Sequence, residues 1–200
     1  MIELAIQHFD PAYDDARLGG IALAVIDSTR NWLEKAVIGL NLCPFAKAVH
    51  ARQQIRYALS DARTSESLLT DLVDELLHLD AADPAALDTT LLIHPHVLAD
   101  FGDYNDFLGV ADAAVAALGL EGEIQIASFH PDYRFADVPA DDIGNYTNRA
   151  PYPILQLLRE ASVGRALAAI PDASGIVERN IATLRRLGID GWQRLRLAKK

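Results

Sequence analysis

Ile124-Gln125-Ile126-Ala127-Ser128-Phe129-His130-Pro131-Asp132-Tyr133-Arg134-Phe135 is the stretch on which the reading of this chain turns. Ile124 to Phe129 is an apolar run of strand length, and His130-Pro131 stops it. Beyond it, as far as Asn148-Arg149-Ala150-Pro151, lie about twenty residues with no hydrophobic period, and connections that long in a compact domain are usually functional or disordered. Phe129, Tyr133, Phe135, Val138, Ile143 and Tyr146 give this one apolar anchors, so it reads as ordered.

Upstream, Tyr104 to Leu118 carries Phe107, Leu108, Ala111, Ala114, Val115 and Leu118 at helical spacing, with Gly119 as its stop. Before it, Thr89-Thr90-Leu91-Leu92-Ile93 reads as a buried strand that ends at His94-Pro95-His96. Thr64 caps a helix with the apolar stripe Leu68, Leu69, Leu72, Val73, Leu76 and Leu77, broken by Asp83-Pro84. Ile55 to Leu59 reads as the first strand of the series. Strands joined through helices normally run parallel. The expected fold is therefore α/β, a short, mainly parallel sheet of three or more strands with flanking helices and a C-terminal helical pair. His94 and His130 both follow strand ends, so both are expected at the edge where open α/β sheets bind ligands.

Towards the N-terminus, Ile21, Val25, Trp32, Leu33, Val37 and Leu40 predict a helix over 21–41. Residues 1–19 read as a loosely held arm. Proline favours the first helical position, so a short helix is expected from Pro44 with Cys43 at its N-cap. A helix from Pro44 to about Ala51 covers about 12 Å and can bring Cys43 to the same sheet edge. After the irregular segment, Pro151-Tyr152-Pro153 reads as the start of a helix carrying Ile154, Leu155, Leu157 and Leu158, extending towards Leu167 and ended by Pro171-Asp172. Ser174 is expected to cap a last amphipathic helix with Val177, Ile181, Leu184 and Leu187, closed by Gly188. The organisation expected is an arm (1–19), a single α/β domain (20–190) and a basic tail (191–200) with Trp192.

The chain of 200 residues holds 18 Lys and Arg against 28 Asp and Glu, a net charge of −10. That argues against nonspecific nucleic-acid or anionic-membrane partners, which need a basic footprint. No apolar run approaches the roughly 18 residues of a membrane span. The single cysteine excludes an intramolecular disulfide framework, and no secretory signal is read at the N-terminus. A cytoplasmic protein is the expectation.

Cys43 at a helix N-terminus reads as a nucleophile or redox-active thiol, because the helix dipole favours thiolate. Read plainly, it is a small buried hydrophobe. His130, with His94 second, suits proton transfer near neutrality. Both read equally as imidazoles bonded to backbone at proline-terminated strand ends. His94, His96, His130 and Asp132, with Asp100 in reserve, form an alternative donor set for zinc or another divalent metal, although no cofactor is the primary expectation. Arg134, Arg149 and Lys47 can clamp an anion, or pair with Asp132, Asp137, Asp141 and Asp142. Tyr133 and Asn148 join them as ligand-binding candidates, or anchor and brace the loop. The site reading is a cysteine/histidine enzyme acting on a small anionic molecule. A divalent-metal hydrolase and a non-catalytic ligand-binding or protein-interaction module stand beside it. No Gly-rich phosphate loop or Gly-x-Ser-x-Gly elbow occurs.

Three motifs, Asn41-Leu42-Cys43-Pro44-Phe45-Ala46, Phe129-His130-Pro131-Asp132-Tyr133-Arg134-Phe135 and Asn145-Tyr146-Thr147-Asn148-Arg149-Ala150-Pro151-Tyr152-Pro153, resemble the bacterial domain-of-unknown-function family 1415. The likeness covers roughly residues 20–190. It implies a small bacterial intracellular protein of about this length, and it transfers no catalytic residue.

Overall fold

The computed structural model describes residues 7–8, 20–168 and 175–197. In chain order the elements are β1 (Gln7–His8), α1 (Gly20–Trp32, continued by a π-helical turn Leu33–Ile38), α2 (Ala46–Ala51), β2 (Ile55–Leu59), α3 (Ser65–Ala81), β3 (Thr89–Ile93), α4 (Phe101–Ala117), β4 (Ile124–Phe129), a 3₁₀ turn (Ile143–Thr147), β5 (Ile154–Arg159), α5 (Glu160–Ala168) and α6 (Ile176–Arg194). The strands form one sheet in the order β1-β2-β3-β5-β4.

The fold is α/β, with helices on both faces of the sheet and a helical C-terminal region. β2 and β3 are parallel neighbours, Tyr57 opposite Leu91. β4 points the same way as both, as the strand–helix–strand pattern predicts. The pairing is nevertheless mixed rather than mainly parallel, because β5 inserts between β3 and β4 and runs antiparallel to each. β1 pairs antiparallel with β2.

β5 is the principal departure from the expected elements: Ile154 to Arg159 is a strand, and the helix begins only at Glu160. The strand is covered on both sides. Leu155 and Leu157 enter the core under α3 and α4, while Ile154 lies in the core under α1. A strand buried on both faces loses its polar alternation, and its leucines then imitate a helical stripe.

Alternation along the strands separates two cores. Ala58, Leu92, Ile124, Leu155 and Leu157 pack with Leu68, Leu72, Leu76, Tyr104 and Phe107 of α3 and α4. Tyr57, Leu59, Leu91, Ile93 and Ile154 pack with Val25, Ile26, Trp32, Leu33 and Val37. The Thr64 cap is present: its hydroxyl accepts from the Ser67 backbone N–H at 3.2 Å, and the Ser67 hydroxyl accepts from the Thr64 N–H at 3.2 Å. The far end of α3 is held by Arg159, which donates to the carbonyls of Leu79, Ala82 and Leu87.

Helix α2 starts at Ala46 with Phe45 as N-cap, two to three residues past the expected Cys43 cap. Gly188 closes the amphipathic part of α6, as expected, and a second helical segment follows it. Its φ of 66° breaks the helical path, and the segment beyond it runs to Arg194 and takes in the first residues of the expected tail. Glycine takes that left-handed conformation without the Cβ penalty other residues meet. The Ser174 cap, the Pro171-Asp172 stop, residues 198–200 and all of the arm except 7–8 lie outside the described residues. Among the described residues, no helix is long and apolar enough to cross a membrane.

Candidate functional site

The irregular segment wraps round the ends of β3, β4 and β5, and the two faces of the sheet receive different parts of it. His94 and His130 follow Leu92 and Ser128 in register, so both fall on the α3/α4 side. They meet there, as expected from their strand ends, on either side of Tyr104: ring centroids lie 5.8 Å and 5.1 Å from the tyrosine ring. Both imidazoles are wholly buried. His94 Nδ1 donates to the Val97 carbonyl at 3.1 Å, and His130 Nε2 donates to the Leu98 carbonyl at 3.2 Å. His130 Nδ1 accepts the Asp132 backbone N–H at 3.0 Å. Those partners fix neutral tautomers. Burial lowers both pKa values, that of His94 to about 4. This arrangement is that of backbone-bonded imidazoles at strand ends.

Tyr104 itself performs a structural task. Its hydroxyl donates to the Ile154 carbonyl at 2.7 Å and accepts from the Phe129 N–H at 3.0 Å. It therefore bridges the last residue pair of the β4–β5 ladder. On the same side, Phe101 packs edge-on against Tyr133 at 5.2 Å, and the exposed Arg134 guanidinium lies 5.7 Å above the Phe101 ring. His96 and Asp132 are exposed. Among the described residues, no three His, Cys, Asp or Glu side chains gather as a metal site.

Cys43 belongs to the opposite face, among Trp32, Val37, Ala46 and Leu91. The sheet thus separates the thiol from the histidines. Burial raises its pKa above the ordinary thiol value, against the opposing pull of the Ala46 and Phe45 backbone N–H groups. The thiol stays protonated at neutral pH. It borders a cavity of about 230 Å³ that also meets Phe129, Thr147, Asn148 and Gln156. Gln156 is a polar residue in an interior strand, donating to the Thr89 hydroxyl at 3.1 Å. Asn148 donates to the Ser128 carbonyl at 3.0 Å, bracing the loop as well as lining the cavity. Lys47 is exposed on α2 and lines neither this cavity nor the next.

A second cavity, about 670 Å³, opens beside the 3₁₀ turn. Its walls are Trp32, Tyr146 and Trp192, with Pro131, Ala150, Pro151, Gln193 and Leu197 between them. Arg149 and Arg196 are its charged residues, and no carboxylate lines it among the described residues. Trp32 also lines the Cys43 cavity. The Trp32 indole N–H donates to the Arg149 carbonyl at 2.8 Å, tying α1 to the end of the irregular segment. Arg149 is held rather than free. Its Nε donates to Tyr133 O at 3.2 Å, its Nη2 donates to Ala140 O at 2.7 Å, and its guanidinium lies 4.3 Å above the Tyr146 ring. The alternative pairing of Arg149 with neighbouring aspartates does not occur among the described residues.

The far wall comes from the segment beyond the Gly188 kink. Trp192 meets Tyr146 edge-on at 5.0 Å. The chain end is pinned to α1 by Asn31, which donates to the carbonyls of Arg196 at 3.1 Å and Leu197 at 3.2 Å. Arg196 is exposed and stands between this cleft and a second groove, which contains Asp27 and Glu34 as well as Arg30 and Lys35.

Of the candidate catalytic and ligand-binding residues, Arg149 alone lines the larger cleft, joined by the loop anchor Tyr146, while Cys43 and Asn148 line the smaller cavity. Trp32, Trp192 and Arg196 complete the cleft, and Gln156 the cavity. Gln156 had a readable signal, a lone amide inside a leucine run. Arg196 had none, because a basic tail ordinarily faces solvent.

No curated protein and no solved structure matches the chain. A family model does match, over residues 24–194, and it contains all three motifs and the residues of both cavities except Arg196 and Leu197. The chain belongs to the family described as protein of unknown function (DUF1415).

Proposed function

We propose that this protein binds a small anionic molecule in the cleft between the 3₁₀ turn and the C-terminal segment. The observation that carries the reading is the composition of the cleft. A chain with a net charge of −10 lines this cleft with two arginines and no carboxylate among the described residues. The volume, about 670 Å³, falls within the range of small-molecule sites, roughly 300–1,000 Å³. Arg149 is pre-positioned by backbone carbonyls, and Arg196 offers an open guanidinium fork for a carboxylate or phosphate. The lone cysteine suits a reducing compartment, and we place the protein in the cytoplasm on that ground.

A thermal-shift panel of small carboxylates and phosphates tests this, with Arg196→Glu as control. A ligand that binds only the folded state raises the midpoint in proportion to its occupancy. We expect at least one anion to stabilise the protein, and the charge reversal to weaken its binding roughly 10- to 100-fold. No stabilising anion, or equal stabilisation of both proteins, would refute the reading.

A second reading is enzymatic. The Phe45 and Ala46 backbone N–H groups pull the Cys43 thiol towards thiolate against its burial, and the cavity before it carries Thr147, Asn148 and Gln156. In that reading Cys43 is the reacting group and the arginine cleft holds the anionic part of the substrate, with Trp32 as the shared wall. The sheet keeps His94 and His130 from serving as its base, so a bound substrate would have to supply one.

A further inference from the structure

We propose that the molecule taken by the arginine cleft carries a planar ring joined to an anionic group. The inference rests on the reading of that cleft as an anion site, and it specifies the rest of the ligand.

The walls carry it. Tyr146 and Trp192 stand at 81° to each other with centroids 5.0 Å apart, so their planes form a corner rather than a stack. A ring lying flat on one of them presents its edge to the other. Face contact and edge contact are the two arrangements that aromatic quadrupoles favour. An aliphatic chain in the same corner displaces water but gains neither.

The third wall is rigid. Trp32 is 2% exposed, its N–H is used by the Arg149 carbonyl, and its ring meets Phe129 at 5.2 Å and 70°. Such a wall does not collapse around a flexible chain, so it selects for a flat shape.

The cations are placed for a ring-bearing acid. Arg149 covers one face of Tyr146 at 4.3 Å, and its Nε and Nη2 are occupied by Tyr133 and Ala140 carbonyls. Its Nη1 makes no hydrogen bond among the described residues, so it offers one point of contact rather than a fork. Arg196 shares a segment with Trp192, four residues on. All three line the cleft, so an anionic group attached to a ring on Trp192 has Arg196 as its main donor and Arg149 Nη1 as the second. Gln193 supplies a neutral amide for a polar ring substituent.

The molecule contains two tryptophans, Trp32 and Trp192, and both line the cleft. Their indole N–H resonances therefore report binding without an added label. The test titrates ¹⁵N-labelled protein with three ring acids (benzoate, indole-3-acetate and naphthalene-2-carboxylate), with ring-free hexanoate, and with uncharged indole. We expect at least one ring acid to shift both indole resonances and to bind at least tenfold more tightly than hexanoate and than indole. Trp192→Leu, read at the Trp32 resonance, should weaken that acid more than it weakens hexanoate and so close the gap between them. Hexanoate binding as tightly as the ring acids would overturn the ring inference while the anion reading stood. Indole binding as tightly as the acids would overturn the anion reading, and with it the inference. Silence of both resonances towards every probe would overturn both.

Discussion

His94 should make the fold sensitive to mild acid, by an amount the structure sets. The ring is wholly buried, its Nδ1 is bonded to Val97 O, and its Nε2 has no partner in the described residues. Burial lowers its pKa from 6.5 to about 4, and the neighbouring His130 pushes it the same way. An unfolded histidine titrates near 6.5. Between those values the unfolded chain binds a proton that the folded chain refuses, so stability falls as pH falls. The contribution is present in full above pH 6.5 and is lost progressively as the pH drops towards 4. Linkage puts the loss between pH 7 and pH 5 at about 2 kcal/mol. His130, whose pKa is also lowered by burial, adds a loss of the same sign. Urea unfolding at pH 7 and pH 5 measures this, comparing the natural protein with His94→Asn. The asparagine amide can still donate to Val97 O but does not titrate. The natural protein should lose about 2 kcal/mol more than the variant over that interval. Equal losses, or a natural protein unchanged at pH 5, would refute the assignment of His94 as a buried neutral imidazole.

Tyr104→Phe removes the hydroxyl that bridges Phe129 and Ile154. Leaving a buried donor and acceptor unpaired costs about 1–3 kcal/mol, with an unchanged denaturant slope. A loss below about 0.5 kcal/mol would mean that the strands close directly on each other. Cys43 should react with iodoacetamide at least tenfold more slowly than a free thiol at pH 7.5, and faster as pH rises beyond about 8.5. A rate already at its plateau below pH 7 would contradict control by burial and favour the enzymatic reading.

Much of the frame is legible in the sequence because periodicity carries it. The α3 leucine stripe, the Thr64 cap and the strands at 55–59, 89–93 and 124–129 follow from local pattern and stand as read. β5 does not follow, since its leucines answer to two cores at once and local spacing cannot distinguish that from a helix. That strand also decides the geometry of the site. With β5 between β3 and β4, His94 and His130 converge on Tyr104, while Cys43 looks into a cavity on the other face. Parity along the strands could have separated the histidines from Leu91 and Phe129, but nothing local assigns Cys43 to a face. The arginine cleft needed a contact still less local, the return of the kinked C-terminal helix onto Tyr146 and α1.

The local sign of the potential at the cleft is the central claim, and quenching of tryptophan fluorescence reads it. Trp32 is 2% exposed, whereas Trp192 is half-buried beside Arg149 and Arg196, so Trp192 dominates the quenchable emission. Iodide and caesium at matched ionic strength sample the same surface with opposite charge. Iodide should quench more strongly than caesium although the chain carries a net charge of −10, and Arg196→Glu should narrow or reverse the difference. Caesium quenching more strongly than iodide in the natural protein, as the net charge alone would dictate, would contradict the account.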